Sequence, residues 1–309
     1  MEKLNEIFRN YFCGELGLAL SSMPDCFLTE VRARALKPLG VRLGKDSRFV
    51  RRDGRLTAEA GAALIVSLSD IKKTAERMSE YSPYAFAQQL QSGFLTLPGG
   101  HRVGFCGQAD IQSGKMRGLS HISSLSLRVA REAPGCAAAV MGILSKAQSC
   151  LIISPPGGGK TTLLRDIARQ ISESGMSVAI ADERSEIAGC FGGVPALDVG
   201  PWTDVLDGCP KAAAMHRLLR SMSPEIIITD EIGGEDDADA VLEMVTAGVK
   251  VITTAHGTGL GDFLRRPSLK KLRDANIFDA VIVLSGHESP GEIIDIWVNE
   301  GDGYESVDF

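Results

Sequence analysis

Apolar positions follow two different rhythms along this chain of 309 residues. Near the start, Leu4, Ile7, Phe8, Tyr11 and Phe12 recur at three- and four-residue spacing, which predicts an amphipathic helix packed on its own domain. Its polar face mixes both signs of charge, unlike the strongly basic face of a helix that lies on a membrane. Residues 57–80 predict one or two more helices, opened by Thr57 and Asp70 as N-caps. A further helix is predicted from Ser82-Pro83, with Pro at its first position, to a stop at Gly93. From Phe94 to Val129 the rhythm changes to short strand-like pieces (FLTL, HRVGFCG, SLSLRV). Pro98-Gly99-Gly100 and Gln112-Ser113-Gly114-Lys115 divide them and read as hairpin turns of an antiparallel sheet. The first part is therefore predicted to be α+β.

REAPG, Arg131 to Gly135, marks the boundary, which gives a smaller N-terminal domain of residues 1–133 and a second domain of 134–309. A helix is expected from Cys136 to Gln148. Short apolar runs then alternate with helical stretches: CLIIS 150–154, a helix from Lys160, SVAIAD 177–182, a helix around 210–221, EIIITD 225–230, a helix over 236–247, VKVITT 249–254 and DAVIVLS 279–285. Strands apolar on both faces, separated by helices, predict a doubly wound α/β domain with a parallel sheet. EIIDIWV 292–298 is expected to add an antiparallel edge strand.

Charge sharpens this division. Residues 1–133 carry a net charge of +6 and residues 134–309 a net of −12, within an overall −6. No apolar run approaches the ~18–20 residues that span a bilayer, and MEKLNEIFRNYF lacks the apolar core of a signal peptide. The seven cysteines are scattered without a CxxC pair, so reduced thiols in a cytoplasmic protein are expected, and no zinc site.

The chemistry starts at SPPGGGKTT, residues 154–162, directly after an apolar strand and before a helix. The spacing follows the phosphate-binding loop G-x-x-x-x-G-K-[ST], with Ser154 in place of the first glycine. Pro155, Pro156, Gly157, Gly158 and Gly159 form the loop, whose glycines let successive N–H groups face phosphate oxygens at the positive end of the following helix. Lys160 is expected to reach the β- and γ-phosphates of ATP, Thr161 to ligate Mg²⁺ and Thr162 to reach the α-phosphate. A second signal is IIITDE, residues 226–231, where a strand runs into two carboxylates at the sheet edge at which α/β proteins bind ligands. Asp230 is the expected Mg²⁺ residue and Glu231 the expected orienter of the attacking water. Glu183, in ADERSEI, is the alternative for that role, with Arg184 beside it. His256, after TTA, stands at a third strand end as a γ-phosphate sensor.

These four elements in this order resemble the secretion and pilus-retraction ATPases, a RecA-like P-loop family. The stretches ADERSEIAG 181–189, TDVLDGCPK 203–211, RSMSPEIIITDEIGG 220–234 and, in the first domain, YSPYAFAQQLQSGFLTLPGGHRVGFCG 81–107 bring the resemblance closer, to a sporulation branch of that family. It implies a RecA-like fold and Mg²⁺-dependent ATP hydrolysis in a homo-oligomeric, hexameric ring. It also implies partners among the membrane channel components joining mother cell and forespore, and a place in the mother-cell cytoplasm, peripheral to the membrane. In such rings arginines from a neighbouring domain or subunit complete the site. Arg102, Arg128 and Arg131 are the first-domain choices, with Arg128 assigned to nucleotide, and Arg184 and Arg220 are the catalytic choices of the second. The Asp-Glu pair departs from the Gly-Glu common in this family, which keeps both Glu231 and Glu183 open.

Two other classes compete. A RecA-like nucleic-acid translocase is consistent with the basic first domain, but aromatics are only 6% and no nucleic-acid motif is present, so nucleic acid is not the expected partner. A scaffold ordered by bound nucleotide would lack turnover. The basic run Arg42, Lys45, Arg48, Arg51, Arg52, Arg55 reads first as a solvated face, and otherwise as a surface meeting an acidic neighbour or an anionic membrane.

Overall fold

The computed structural model describes residues 2–24, 26–80, 94–112, 114–144, 149–286, 288–301 and 303–307. It forms two compact units, Met1–Ala130 and Arg131–Phe309.

In the first unit the N-terminal periodicity becomes helix α1 (Glu2–Tyr11), followed by α2 (Gly14–Ser21). Strands β1 (Leu28–Arg34), β2 (Gly40–Leu43), β3 (Asp46–Val50) and β4 (Leu56–Thr57) precede α3 (Leu68–Glu80). Strands β5 (Phe94–Leu97), β6 (His101–Gln112) and β7 (Lys115–Arg128) complete an antiparallel sheet of order β4-β3-β2-β1-β7-β6-β5. The three-strand sheet read from residues 94–129 is thus the later half of a seven-stranded one. Phe8, Leu16 and Ile71 of the helices share a core with Val31, Ala33, Val41, Val103 and Leu127 of the strands. That packing leaves the other sheet face carrying Glu30, Arg32 and Arg34 at alternate positions of β1.

The helix expected to open at Thr57 starts instead at Leu68. Thr57 ends a short strand, and its Oγ1 accepts the Glu59 N–H. Ser67, not Asp70, caps α3, its Oγ accepting the Asp70 N–H at 2.9 Å. Asp70 turns its carboxylate toward α2, where it accepts the Leu16 N–H in the first turn. The helix expected from Ser82-Pro83 to Gly93 lies outside the described residues.

The second unit holds α4 (Ala138–Leu144), β8 (Cys150–Ser154), α5 (Lys160–Glu173), β9 (Val178–Asp182), β10 (Thr203–Asp207), α6 (Lys211–Met222), β11 (Ile226–Thr229), α7 (Glu235–Thr246), β12 (Lys250–His256), α8 (Leu260–Arg265), α9 (Lys270–Asp274), β13 (Ala280–Leu284), β14 (Ile293–Asn299) and β15 (Tyr304–Ser306). The sheet order is β10-β9-β11-β12-β8-β13-β14-β15, parallel from β10 to β13. Strand β14 pairs antiparallel with β13 as expected, but β15 lies beyond it, so β14 is not the edge. Alternate residues of β8 serve opposite cores. Cys150 and Ile152 pack with Leu163, Leu164 and Ile167 of α5 on one side, and Leu151 and Ile153 pack on the side of α6, α7 and α8. This two-sided burial is why the strands read as unbroken apolar runs.

Candidate functional site

Strand β8 sits in the middle of the parallel sheet and delivers the phosphate loop at its C-terminal end. Gly157 and Gly159 hold φ of +77° and +91°, left-handed values that an L side chain adopts only under strain. Gly158 is needed for space, because a Cβ there would fall on Ser154 Oγ and on the carbonyl oxygen of Ser285. The loop between β13 and β14 closes against this turn, Gly291 donating its N–H to Gly158 O at 2.9 Å. Ser154 fills the first-glycine position without exposing a polar group: it is fully buried, and its hydroxyl donates to Pro155 O at 2.8 Å. Lys160, first residue of α5, donates from Nζ to Ser154 O at 2.8 Å and Pro155 O at 3.3 Å. Burial lowers its pKa, and Glu231 pulls against that shift. Lys160 and Glu231 are therefore electrostatic neighbours although they come from different strand ends. Thr161 and Thr162 follow in the first turn of α5, both half-buried.

Strand β12 lies between β8 and β11, so it separates the phosphate loop from the carboxylate pair. Asp230 is 7% exposed, whereas Glu231 stands in the open. Thr253 of β12 donates from Oγ1 to Asp230 O at 3.2 Å, and Ile232 donates its N–H to Thr254 O. These bonds lock the strand end from which both acids project. His256, last residue of β12, pairs in register with Ser154 and is exposed, and Arg266 Nη2 holds its carbonyl at 2.6 Å.

The third strand end brings an acid cluster. Asp182, last residue of β9, is fully buried and accepts the N–H groups of Glu186, Ile187 and Ala188 at 2.8–3.0 Å, which folds the 183–188 loop back on itself. Glu183 on that loop pairs with Lys211 Nζ at 2.9 Å, and the same ammonium lies 3.6 Å from Asp230 Oδ1. Burial raises the Asp230 pKa to about 6; Lys211 lowers it, while Asp182, Glu186 and Glu183 raise it. Asp230 Oδ1 is buried and accepts no hydrogen bond. A carboxylate oxygen with no hydrogen bond, near three other acids and with the Lys211 ammonium at 3.6 Å, is one a divalent cation would relieve, so the residues fit Mg²⁺.

The structure therefore gathers the phosphate loop, Asp230, Glu231, Glu183 and His256 along one sheet edge, with Arg184 exposed on the Glu183 loop. It does not bring Arg220 there. Lys211 opens α6 at the acids, and Arg220 lies nine residues on, about 13 Å farther at helical rise. Arg128 ends β7 in the first unit. Arg131 belongs to the second unit, where its carbonyl accepts Arg165 Nη1 at 3.0 Å. Lys211 was not singled out from sequence. Its signal was modest: a lysine after Pro210 at a helix start that follows a strand, β10, itself missed.

The chain matches the family described as sporulation stage III, protein AA over residues 20–303. It is 39% identical over 292 residues to Stage III sporulation protein AA of Bacillus subtilis (strain 168), covering 92% of each. A partial likeness, 34% identity over 178 residues, runs to protein SEEDLING PLASTID DEVELOPMENT 1 of Arabidopsis thaliana, covering 53% of this chain and 26% of that one. Among solved structures, the Legionella pneumophila ATPase DotB aligns with a TM-score of 0.54 at 19% identity, covering 83% of this chain and 72% of that one. The pilus retraction motor PilT with bound ADP aligns with a TM-score of 0.55 at 15% identity, covering 90% and 77%. The α/β fold expected from sequence, and its likeness to the fold of secretion and pilus ATPases, are borne out.

Proposed function

Because this chain belongs to the sporulation stage III protein AA family, we propose that it is a Mg²⁺-dependent ATPase of the secretion type. It acts as a homo-oligomeric ring, in the cytoplasm, on channel components that join mother cell and forespore. One observation carries the enzymatic reading: Lys160 and Glu231 are coupled at the same sheet edge where Asp230 presents a buried, unsatisfied oxygen. A strand-end structure without chemistry has no reason to bear that desolvation cost.

In this reading residues 155–159 offer backbone N–H groups to the phosphates and Lys160 turns its ammonium from the loop carbonyls to them. Thr161 and Asp230 hold the cation. Bound Mg²⁺ would supply charge neutralisation at the phosphates. Glu231 orients water: it is exposed where Glu183 is engaged by Lys211 at 2.9 Å, which favours Glu231 over Glu183. His256 and Arg184 line the same edge. Arg128 and Arg220 are assigned to contacts supplied by a neighbouring subunit.

Glu231→Gln is expected to keep ATP binding and lose turnover by at least a hundredfold, the scale of a lost general base, while Lys160→Ala weakens binding itself. Full turnover in Glu231→Gln together with its loss in Glu183→Gln would move the role to Glu183. Sizing the protein with and without a nonhydrolysable ATP analogue tests the ring, and a monomer under both conditions would refute it.

A further inference from the structure

The sheet face of the first unit that lies away from its helices carries a recess of about 210 Å³ lined by Arg32, Arg34, Gly40, Arg42, Arg48 and Phe49, among others. Strand register builds it. Arg32 stands opposite Gly40, which puts no side chain in the way, and Gly40 stands opposite Phe49 on β3. Glu30 stands opposite Arg42 on the neighbouring row. Glu30 is 7% exposed and is the hub of the group: its two carboxylate oxygens face the Nε atoms of Arg32 at 2.7 Å and of Arg42 at 3.5 Å. Ser126 Oγ donates to the same carboxylate at 2.8 Å. Burial pushes the Glu30 pKa up, but the bonds from Arg32 and Ser126 outweigh it and the pKa is lowered, so the hub stays ionised. Gripping guanidinium groups through Nε orients their planar forks. The arginines stay open to solvent, the side chains of Arg32, Arg42 and Arg48 being 42%, 54% and 42% exposed.

We propose that this recess is a binding site for a phosphoryl dianion, carried either on a lipid headgroup or on a small soluble molecule. The guanidinium charges of Arg32, Arg34 and Arg42 are answered by the one Glu30 carboxylate, which leaves two positive charges. A phosphate monoester carries about −1.5 to −2 at neutral pH, and its oxygens match the fork of arginine as a solvated lysine patch does not. An electrostatic patch made only for solubility has no use for a buried carboxylate that orients the arginines around it. The site lies in the first unit and does not depend on the ATPase reading.

The test uses the full chain with two probes, phosphatidylcholine vesicles carrying phosphatidate and inorganic phosphate. Vesicles carrying phosphatidylserine at matched charge are the control. Saturable retention on phosphatidate vesicles assigns the lipid source, and calorimetric binding of inorganic phosphate without vesicle retention assigns the soluble one. The pair Arg32→Gln with Arg42→Gln should weaken binding at least tenfold, and the pair Arg32→Lys with Arg42→Lys should restore only part of it. Glu30→Gln is the sharper variant: it makes the face more positive yet should weaken binding, because it frees the forks. Lys160→Ala should leave binding unchanged, since it alters the other phosphate receptor. Melting curves of all variants check that each is folded. The proposal is overturned by no binding of either probe, by equal retention on phosphatidylserine vesicles, or by tighter binding in Glu30→Gln. Binding lost in Lys160→Ala but kept in the glutamine pair overturns it too. So does a changed oligomer size in the glutamine pair with probe binding intact, which would make the face a contact between copies.

Discussion

Replacing Lys211 by Met keeps the aliphatic stem and removes the ammonium that lies between Glu183 and Asp230. The Lys211 and Asp230 side chains are 12% and 10% exposed, and their charged atoms lie 3.6 Å apart. At an effective dielectric of 20, unit charges about 4 Å apart attract by about 4 kcal/mol before desolvation is counted. Removing one partner of a buried pair typically costs about 3–5 kcal/mol. The Glu183 side chain is 36% exposed, so solvent screens that part and the lower end, about 3 kcal/mol, is expected. For a unit of this size that is a fall in Tm of about 6–12 °C. The pH dependence has a definite sign. Asp230 in the fold holds its proton up to about 6, against an ordinary 3.8. A carboxyl raised in this way loses stability as pH rises through its folded value. Without Lys211 that value rises further, so the gap between variant and wild type should widen from pH 6 to pH 8. Adding Asp230→Asn to Lys211→Met should recover most of the loss. Denaturant melts at both pH values read all three effects. A Lys211→Met melt within 2 °C of wild type, or a gap that narrows toward pH 8, would refute the buried-pair argument.

Gly158→Ala should abolish nucleotide binding and lower Tm, because its Cβ would meet Ser154 Oγ and the Ser285 carbonyl; unchanged binding of a fluorescent nucleotide would contradict the loop geometry. His101 is 8% exposed, and burial lowers its pKa to about 4. Its Nδ1 accepts the Ala130 N–H at 3.0 Å. The unfolded chain therefore takes up a proton first, and stability should fall by up to about 3 kcal/mol as pH drops from 6.5 to 4. A His101→Gln chain should show a flatter profile in the same denaturation series. Asp166 accepts the N–H groups of Gly135 and Ala137 and the side chains of Arg169 and Gln170. Its pKa, raised by burial and lowered by these bonds, settles at about 2. Asp166→Ala should cost about 2–3 kcal/mol at neutral pH, and the difference from wild type should shrink as pH falls through 2, read by acid titration of the circular dichroism signal.

The inner strands of the parallel sheet were legible, because strands buried on both faces, such as CLIIS and AVIVL, read as apolar runs. The glycine-rich turn between β8 and α5 was legible for a related reason: glycines at positive φ and a lysine at a helix start are local requirements written in adjacent residues. Strands β1 to β4 were not read. Their charged residues alternate with apolar ones on a sheet with one open face, and LTEVRAR alone has no partner to say that its arginines share a surface. Strand β10, TDVLD, escaped for a similar reason: it is the outermost strand of its sheet, with only its inner neighbour β9. Thr57 and Asp70 were read as helix caps because the capping signal is local, whereas Asp70 serves a helix more than fifty residues away. Sequence alone determined the α/β class, the glycine-rich loop before α5 and the acids that stand at strand ends. The tertiary structure decided which acid is buried with an oxygen that no hydrogen bond satisfies, which lysine lies beside it, and which arginines are turned toward one carboxylate. Those outcomes depend on distance and desolvation between residues far apart in the chain, and no local pattern encodes either.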